Sequence, residues 1–407
     1  MIFLRLRNLF RLIFSKINIL EYNYYKARQL YIEVPIVELS SIGEKIGVFK
    51  EATVEQFDYI KTYDFFESGR FDIIYPEIDV WKIKNALVFH STDFVVTSGG
   101  YCAWPKYYLY NYSKNIATDA FLVKEKNGLL TYKKPHKVLD VNTAFSLIGV
   151  CAHVWAHAIA EYLPKLSMLS TVIKDSKERI TVLIPEYNDV QLSQVMSDQL
   201  KKYDVDILTV HKDEAVNVQT LYYMQRPTIF TDHEINVSPG DQVLPKAVIN
   251  VLKRDLVAPY KNNLQIDPRY KKIFLSRRGG YGKGIINQEE IEQYFEKMGF
   301  VFVEPHKVCL EEKVKIFHSA EVIAGPLGSA FTNIIFCNPG TKVLLFSNFQ
   351  RIFDYYVGCG QQYFGLEMMM VNGWDDKTAS NMSHCSYYIP IERVIGAAKK
   401  MKLFENE

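Results

Sequence analysis

This sequence lacks an excess of charge of either sign. Forty-eight Lys and Arg stand against 46 Asp and Glu, a net charge of +2. No overall basic field points to nucleic acid, so any basic site must be local. Cysteine is sparse and scattered: Cys102, Cys151, Cys309, Cys337, Cys359 and Cys385 form no CxxC pair and no zinc-type Cys/His spacing. In a chain this long, that pattern argues against a disulfide framework and for reduced thiols in a cytoplasmic compartment. The sequons at Asn111, Asn236 and Asn381 then read as chance matches. No run of 18 or more uncharged apolar residues exists, so no membrane span is expected. Internal repeats and low-complexity segments are also missing.

What is present suits a globular protein. Hydrophobic residues make up 48% and charged residues 23%, and 407 residues are enough for two sizeable cores. Residues 1–20 stand apart. On a helical wheel Ile2, Phe3, Leu6, Leu9, Phe10, Ile13, Phe14 and Ile17 share one face, while Arg7, Asn8, Arg11, Ser15 and Asn18 gather opposite. A basic amphipathic helix of this kind suits an anionic membrane surface, which would make the protein peripheral. The same pattern also suits a helix packed on its own domain or on a sister subunit. It is no secretory signal, because arginines interrupt its apolar stretch.

Hydrophobic periodicity divides the rest. Residues 20 to about 140 carry short alternating runs that read as β elements, and the pattern turns helical from Ala144 to Ile173. "RITVLIP", "EYNDVQLSQVMSDQLKKY" and "DVDILTVH" read as strand, helix, strand, the unit of a parallel sheet. A helix is expected over 243–256. The polar stretch Ala258 to Tyr270 carries two prolines and is taken as a linker. Beyond it, strands and helices alternate regularly, with Gly299 at a helix C-terminus. The expected division is a helix over 1–20, an N-terminal α/β domain over 21–257, a linker over 258–270 and a Rossmann-like domain over 271–407. In such sheets ligands bind at the carboxyl ends of strands.

Two loops carry candidate chemistry. "LSRRGGYGKG", Leu275 to Gly284, directly follows a strand. Arg277 and Arg278 offer planar forks matched to phosphate oxygens, Lys283 adds a point charge, and the glycines let the backbone approach a ligand. It fits neither the P-loop nor the dinucleotide fingerprint. Alone, it is as readily a solvated basic turn as a phosphate site. "AGPLGSAFTN", Ala324 to Asn333, also follows a strand and opens a helix. Gly325 and Gly328 permit a tight turn, while Ser329, Thr332 and Asn333 bring polar groups to a helix N-terminus that favours an anion. Ser329 as a plain N-cap is the bland alternative. Upstream, His157 and Glu161 are four apart and share a helix face, which allows an imidazole–carboxylate pair. His153 has metal-pair spacing to His157, but nothing completes a ligand set. Asp204 to Asp206 precedes a strand, at the wrong edge for a metal-binding DxD.

"FLSRRGGYGKGIINQEEI…MGFVFVEP…LEEKVKIFHSAEVIAGPLGSAFTNIIFCNPGTKV", Phe274 to Val343, closely resembles the core of glycosyltransferase family 61. "HAIAEYLPKL", His157 to Leu166, is similar to that family's upstream motif. The resemblance implies a GT-B-like fold, with two Rossmann-like α/β domains facing across a cleft. It further implies an inverting, metal-independent transfer of a hexosyl or pentosyl group from a nucleotide sugar to a glycan or lipid-linked acceptor. Capsule or other surface polysaccharide synthesis is the expected setting, with no cofactor beyond the donor. On this reading Arg277, Arg278 and Lys283 neutralise the donor diphosphate, and Gly325, Gly328, Ser329, Thr332 and Asn333 cradle phosphate or ribose. Either Glu161 is the base and His157 orients it, or the roles reverse.

Four positions depart from the family pattern. Leu327 stands for the usual His, Leu345 for a strand-ending Glu, Lys283-Gly284 for a second arginine pair, and Val154 for an Asn. They leave open a different donor, weakened catalysis, or a non-catalytic relative that scaffolds a glycan assembly complex. Trp155 and the Tyr-rich N-terminal region are candidates for a homo-oligomer interface.

Overall fold

The computed structural model describes residues 31–58, 61–63, 70–103, 121–227, 244–261, 264–276, 284–347, 355–375 and 386–404. The amphipathic segment 1–20 and the basic loop with Arg277, Arg278 and Lys283 lie outside them.

The described chain is a mixed α/β structure with two main sheets. The first is parallel at one end. Strands Asp206–Val210, Thr181–Pro185, Lys137–Ser146 and Glu214–Met224 lie side by side in that order, all parallel. Mostly antiparallel pairing then extends it, from Ile78–Phe89 through Val95–Thr97 and Cys102–Ala103 to Tyr31–Val37, Leu129–Lys133 and Leu122–Lys126, with Cys102–Ala103 and Tyr31–Val37 parallel. Pairing among the three longest strands breaks at Asn142, Gln219 and Asn85. Asn85 is left-handed there, with φ 51°. Val88, Val216 and Val218 from one side of the break share a buried core with Ile83, Leu221 and Tyr223 from the other. The sheet therefore folds back on itself. This fold brings the turn after Phe89 over the carboxyl ends of the parallel strands.

The second sheet is wholly parallel, in the order Val301–Val303, Lys272–Leu275, Val322–Pro326, Lys342–Ser347, Glu367–Asn372 and Lys61–Thr62. Numbered along the C-terminal part of the chain, the first five run 2-1-3-4-5, a doubly wound order. Its direction switches between Lys272–Leu275 and Val322–Pro326. The expected strands and helices of this half are present, and Gly299 ends helix Gln288–Lys297 at φ 78°. The edge strand Lys61–Thr62 comes from the N-terminal part, so the sheet is not built from residues 271–407 alone.

One hydrophobic core joins the two sheets. It gathers Phe145, Val182 and Tyr222 of the first sheet, helix residues such as Leu163, Leu252 and Phe317, and Ile273, Ile323 and Val343 of the second. Another core, on the far side of the second sheet, packs Phe274, Phe295 and Phe346 beneath Val394 and Ala397 of helix Ile391–Lys400. The sequence expectation of helix from Ala144 is corrected, because Ala144–Ser146 complete a strand and helix begins at Trp155. Helix Lys246–Leu252 continues without a break through a π segment, Lys253–Val257, into Ala258–Lys261. The start of the expected linker is therefore helical. Pro259 has no N–H for the carbonyl four residues back, so the local hydrogen-bond register changes before it.

Candidate active site

His157 ends a single turn of helix, Trp155–His157, that opens after strand Lys137–Ser146. A π segment, Ala158–Tyr162, and a 3-10 segment, Leu163–Met168, follow. Pro164 again explains the irregularity, since it cannot donate to Ala160. Val154 occupies the N-cap position in extended geometry and makes no side-chain cap. His153 lies in the preceding turn, before the helix begins.

His157 and Glu161 form the expected pair, with Nδ1 and Oε1 2.7 Å apart. Their surroundings separate their roles. The His157 side chain is 25% exposed, whereas Glu161 is completely buried. Burial alone would raise the Glu161 carboxyl, but the Arg226 guanidinium and His157 hold it below the usual range. An ionised carboxylate can only accept, so Nδ1 of His157 carries the shared proton. In the neutral ring Nε2 is then the basic nitrogen.

Arg226 was not legible in the sequence. It follows strand Glu214–Met224, at the switch point of the parallel strands. Its Nη1 donates to Glu161 Oε2 at 2.8 Å, and its Nη2 lies 3.1 Å from Asp93 Oδ2. Asp93 comes from the turn that the folded sheet lays over this end. It also accepts from the Val150 backbone N–H at 3.4 Å, and its carbonyl accepts from the Tyr223 hydroxyl at 2.8 Å. The Tyr162 hydroxyl donates to the Val150 carbonyl at 2.8 Å and lies 3.3 Å from Asp93 Oδ1. Gly149 is required here, because a Cβ would collide with the Tyr162 hydroxyl and the Asp93 carboxylate. Burial raises the Asp93 carboxyl, with Arg226 and Lys165 opposing. Lys165 is buried too, its ammonium 4.9 Å from the Tyr162 ring centroid, and burial pushes it down to about 8. One guanidinium thus stands between two buried carboxyls whose environments drive them apart.

The second candidate loop lies at the switch point of the other sheet. Gly325, next to last in its strand, lies so close to the neighbouring strand that a Cβ would sit 2.8 Å from the Leu275 carbonyl oxygen. The basic loop leaves the adjacent strand just beyond, after Ser276, whose buried hydroxyl donates to Glu292 at 3.0 Å. Gly328 occupies the N-cap position of the 3-10 helix Ser329–Phe336, so Ser329 is its first residue and not its cap. Thr332 and Asn333 are buried. Among the described residues, Thr332 Oγ1 and Asn333 Oδ1 have no hydrogen-bond partner, while Asn333 Nδ2 donates to the Ala330 carbonyl at 2.9 Å. Two unsatisfied acceptors side by side are costly in an interior.

The elements that carry these groups meet, since helix Trp155–His157 packs against Ser329–Phe336. Lys313, in the first turns of helix Leu310–Ser319, sets its ammonium 3.5 Å from the centroid of the Trp155 ring. Burial lowers this ammonium to about 8. Trp155 is half-buried and packs against the core shared by the two sheets. Leu345 is fully buried and Leu327 packs against the shared core.

Other motifs resolve simply. Arg179 pairs with Asp204 at 2.6 Å and Asp206 at 2.8 Å, at the amino edge of the sheet. Cys102, Cys151, Cys309, Cys337 and Cys359 are free thiols. Among the described residues, no group of three His, Cys, Asp or Glu is arranged to hold a metal ion. None of the described helices is long and apolar enough to cross a membrane. A cavity of about 520 Å³ lies at the opposite, amino edge of the second sheet. Three of its four lysines are engaged internally: Lys271 pairs with Glu321, Lys272 lies over Phe404, and Lys342 donates to the Lys402 carbonyl.

Residues 155–344 match the family model described as Glycosyltransferase 61. The match begins at the helix that carries His157 and extends past Ser329–Phe336, so it takes in both of these packed elements. No curated protein matches the chain.

Proposed function

On the match of residues 155–344 to glycosyltransferase family 61, we propose that the chain moves a sugar from a nucleotide sugar to an acceptor hydroxyl, with inversion. One observation carries this reading. The His157–Glu161 pair and the paired orphan acceptors of Thr332 and Asn333 sit on two helices that pack together, each after a strand at a sheet's switch point. The donor lies on the Ser329–Phe336 side. Its hydroxyl and N–H groups satisfy Thr332 and Asn333, and the basic loop after Ser276, with Arg277, Arg278 and Lys283, meets its diphosphate. Gly325 and Gly328 keep the backbone close to it. Charge that develops on the leaving diphosphate is met by arginine and backbone N–H groups, so the step takes no metal.

The acceptor lies on the His157 side. His157 Nε2 takes the hydroxyl proton as the oxygen attacks the anomeric carbon opposite the departing diphosphate. Glu161 holds Nδ1–H and stabilises the imidazolium that forms. Of the two assignments open in the sequence, burial favours this one, because Glu161 is shut away behind Arg226. The acceptor is a glycan or a lipid-linked glycan of a surface polysaccharide. Residues 1–20 bring the enzyme to the anionic membrane that carries it.

A nucleotide-sugar panel, scored for binding and for hydrolysis in wild type and Arg277→Ala, tests the donor assignment. Binding that the substitution weakens supports it, and an absence of binding overturns it. Binding without turnover, with acceptors supplied, gives the chain a scaffold role instead, a reading that Leu345 in the core favours. Deletion of residues 1–19 should abolish sedimentation with anionic vesicles. Unchanged sedimentation removes the membrane role.

A further inference from the structure

We infer that Arg226, braced by Asp93, is a positioning residue that acts on His157 through Glu161. The inference rests on the reading of His157 as base. The geometry that supports it is a chain of directed contacts. Arg226 gives one nitrogen to Glu161 Oε2 at 2.8 Å and places another 3.1 Å from Asp93 Oδ2. The other oxygen of Glu161 goes to His157. Both Glu161 oxygens are therefore committed, one to each side, and the carboxylate has no freedom to rotate. A planar fork held between two carboxylates does this as a point charge cannot.

The placement has an electrostatic consequence. A carboxylate facing an imidazole alone would lend it the whole of its charge, whereas one shared with a guanidinium lends less. Arg226 therefore moderates how strongly His157 holds the proton it takes, and a base must release that proton to turn over. The remaining charged groups near the pair are few. Lys165 comes from the following segment, and His153 from the preceding turn is within electrostatic reach of His157. Lys313 approaches Trp155 from the second sheet's side. Ser329–Phe336 brings no charge, and Lys246, on the helix packed against Ala158–Tyr162, is exposed. Arg226 is the cation that touches Glu161.

The test compares Arg226→Met, Arg226→Lys and Arg226→Met in a Glu161→Gln background. It reads the pH profile of kcat and the imidazole titration of His157 by NMR. With the guanidinium gone, Glu161 acts on His157 undivided, so the acidic limb and the imidazole midpoint move to higher pH. The kcat falls by about 10²-fold from lost positioning, while nucleotide affinity stays unchanged. Arg226→Lys keeps the charge but loses the fork, so it lowers kcat with little movement of the limb. Once Glu161 is Gln, Arg226→Met has little further effect. Arg226→Met with an unmoved midpoint overturns the inference, as does an equal effect in both backgrounds. Because the NMR titration needs no turnover, it separates this outcome from failure of the transferase reading, which the nucleotide panel decides. Should Arg226→Met fail to fold, Arg226→Lys and Asp93→Asn carry the comparison. Both should lower kcat, and unchanged kcat in both overturns the inference.

Discussion

Arg226 Nη1 and Glu161 Oε2 meet at 2.8 Å, although 65 positions separate them in the chain. Arg226 follows one parallel strand, and Glu161 sits on the irregular helix that follows its neighbour. Together with His157, the contact holds Glu161 ionised against burial, and an ionised Glu161 fixes which nitrogen of His157 bears the proton.

His157→Ala should lower the transfer rate by about 10²–10⁴-fold, the usual worth of a general base, and leave donor affinity nearly unchanged. Glu161→Gln should lose rate as well as stability, because Arg226 loses the charge of one of its two buried carboxyl partners and keeps only Asp93. The stability cost should stay below the roughly 3–5 kcal/mol usual for a buried charge left with no partner. Steady-state kinetics and denaturant melts of the two variants check both statements. Full activity in His157→Ala would remove it as the base.

Thr332→Val should separate binding from stability. The Thr332 hydroxyl is buried without a partner among the described residues, so replacing it should leave the unliganded protein as stable or more stable. Donor affinity should fall, since the proposed ligand contact is lost. Thermal shift with and without a nucleoside diphosphate measures both. A fall in stability without ligand would show that the hydroxyl is used by the fold itself.

Val154→Asn should stabilise the protein. The position already has N-cap backbone geometry, φ −97° and ψ 132°, but valine offers no oxygen to the free N–H groups of the next turn. A capping side chain is worth about 1 kcal/mol. A denaturant midpoint no higher than wild type would count against it.

Lys165 links stability to alkaline pH. Its folded value is depressed to about 8, while the unfolded chain keeps the ordinary lysine value. Between these two values the unfolded state binds more protons, so unfolding free energy rises with pH. The slope can approach about 1.4 kcal/mol per pH unit. Lys165→Met should flatten that rise relative to wild type in urea melts from pH 7 to 10. Parallel curves for the two proteins would place the titration elsewhere.

The sequence by itself determined the local elements and one imidazole–carboxylate pair. Regular alternation of apolar runs and helical periods marked the C-terminal strands and helices, because each buries one face with its own period. His157 and Glu161 were legible for the same reason: a four-residue spacing puts two side chains on one helix face. The loop Gly325–Asn333 was legible as a turn into a helix. Only tertiary structure decided which of the pair is buried, since burial depends on what covers a side chain. Asp93 and Arg226 reach Glu161 by a fold of the sheet at Asn85, Asn142 and Gln219, where pairing breaks with no periodic signal in the sequence. The meeting of Lys313 with Trp155 is of the same kind. Such contacts join residues remote in the chain, and no local spacing encodes them.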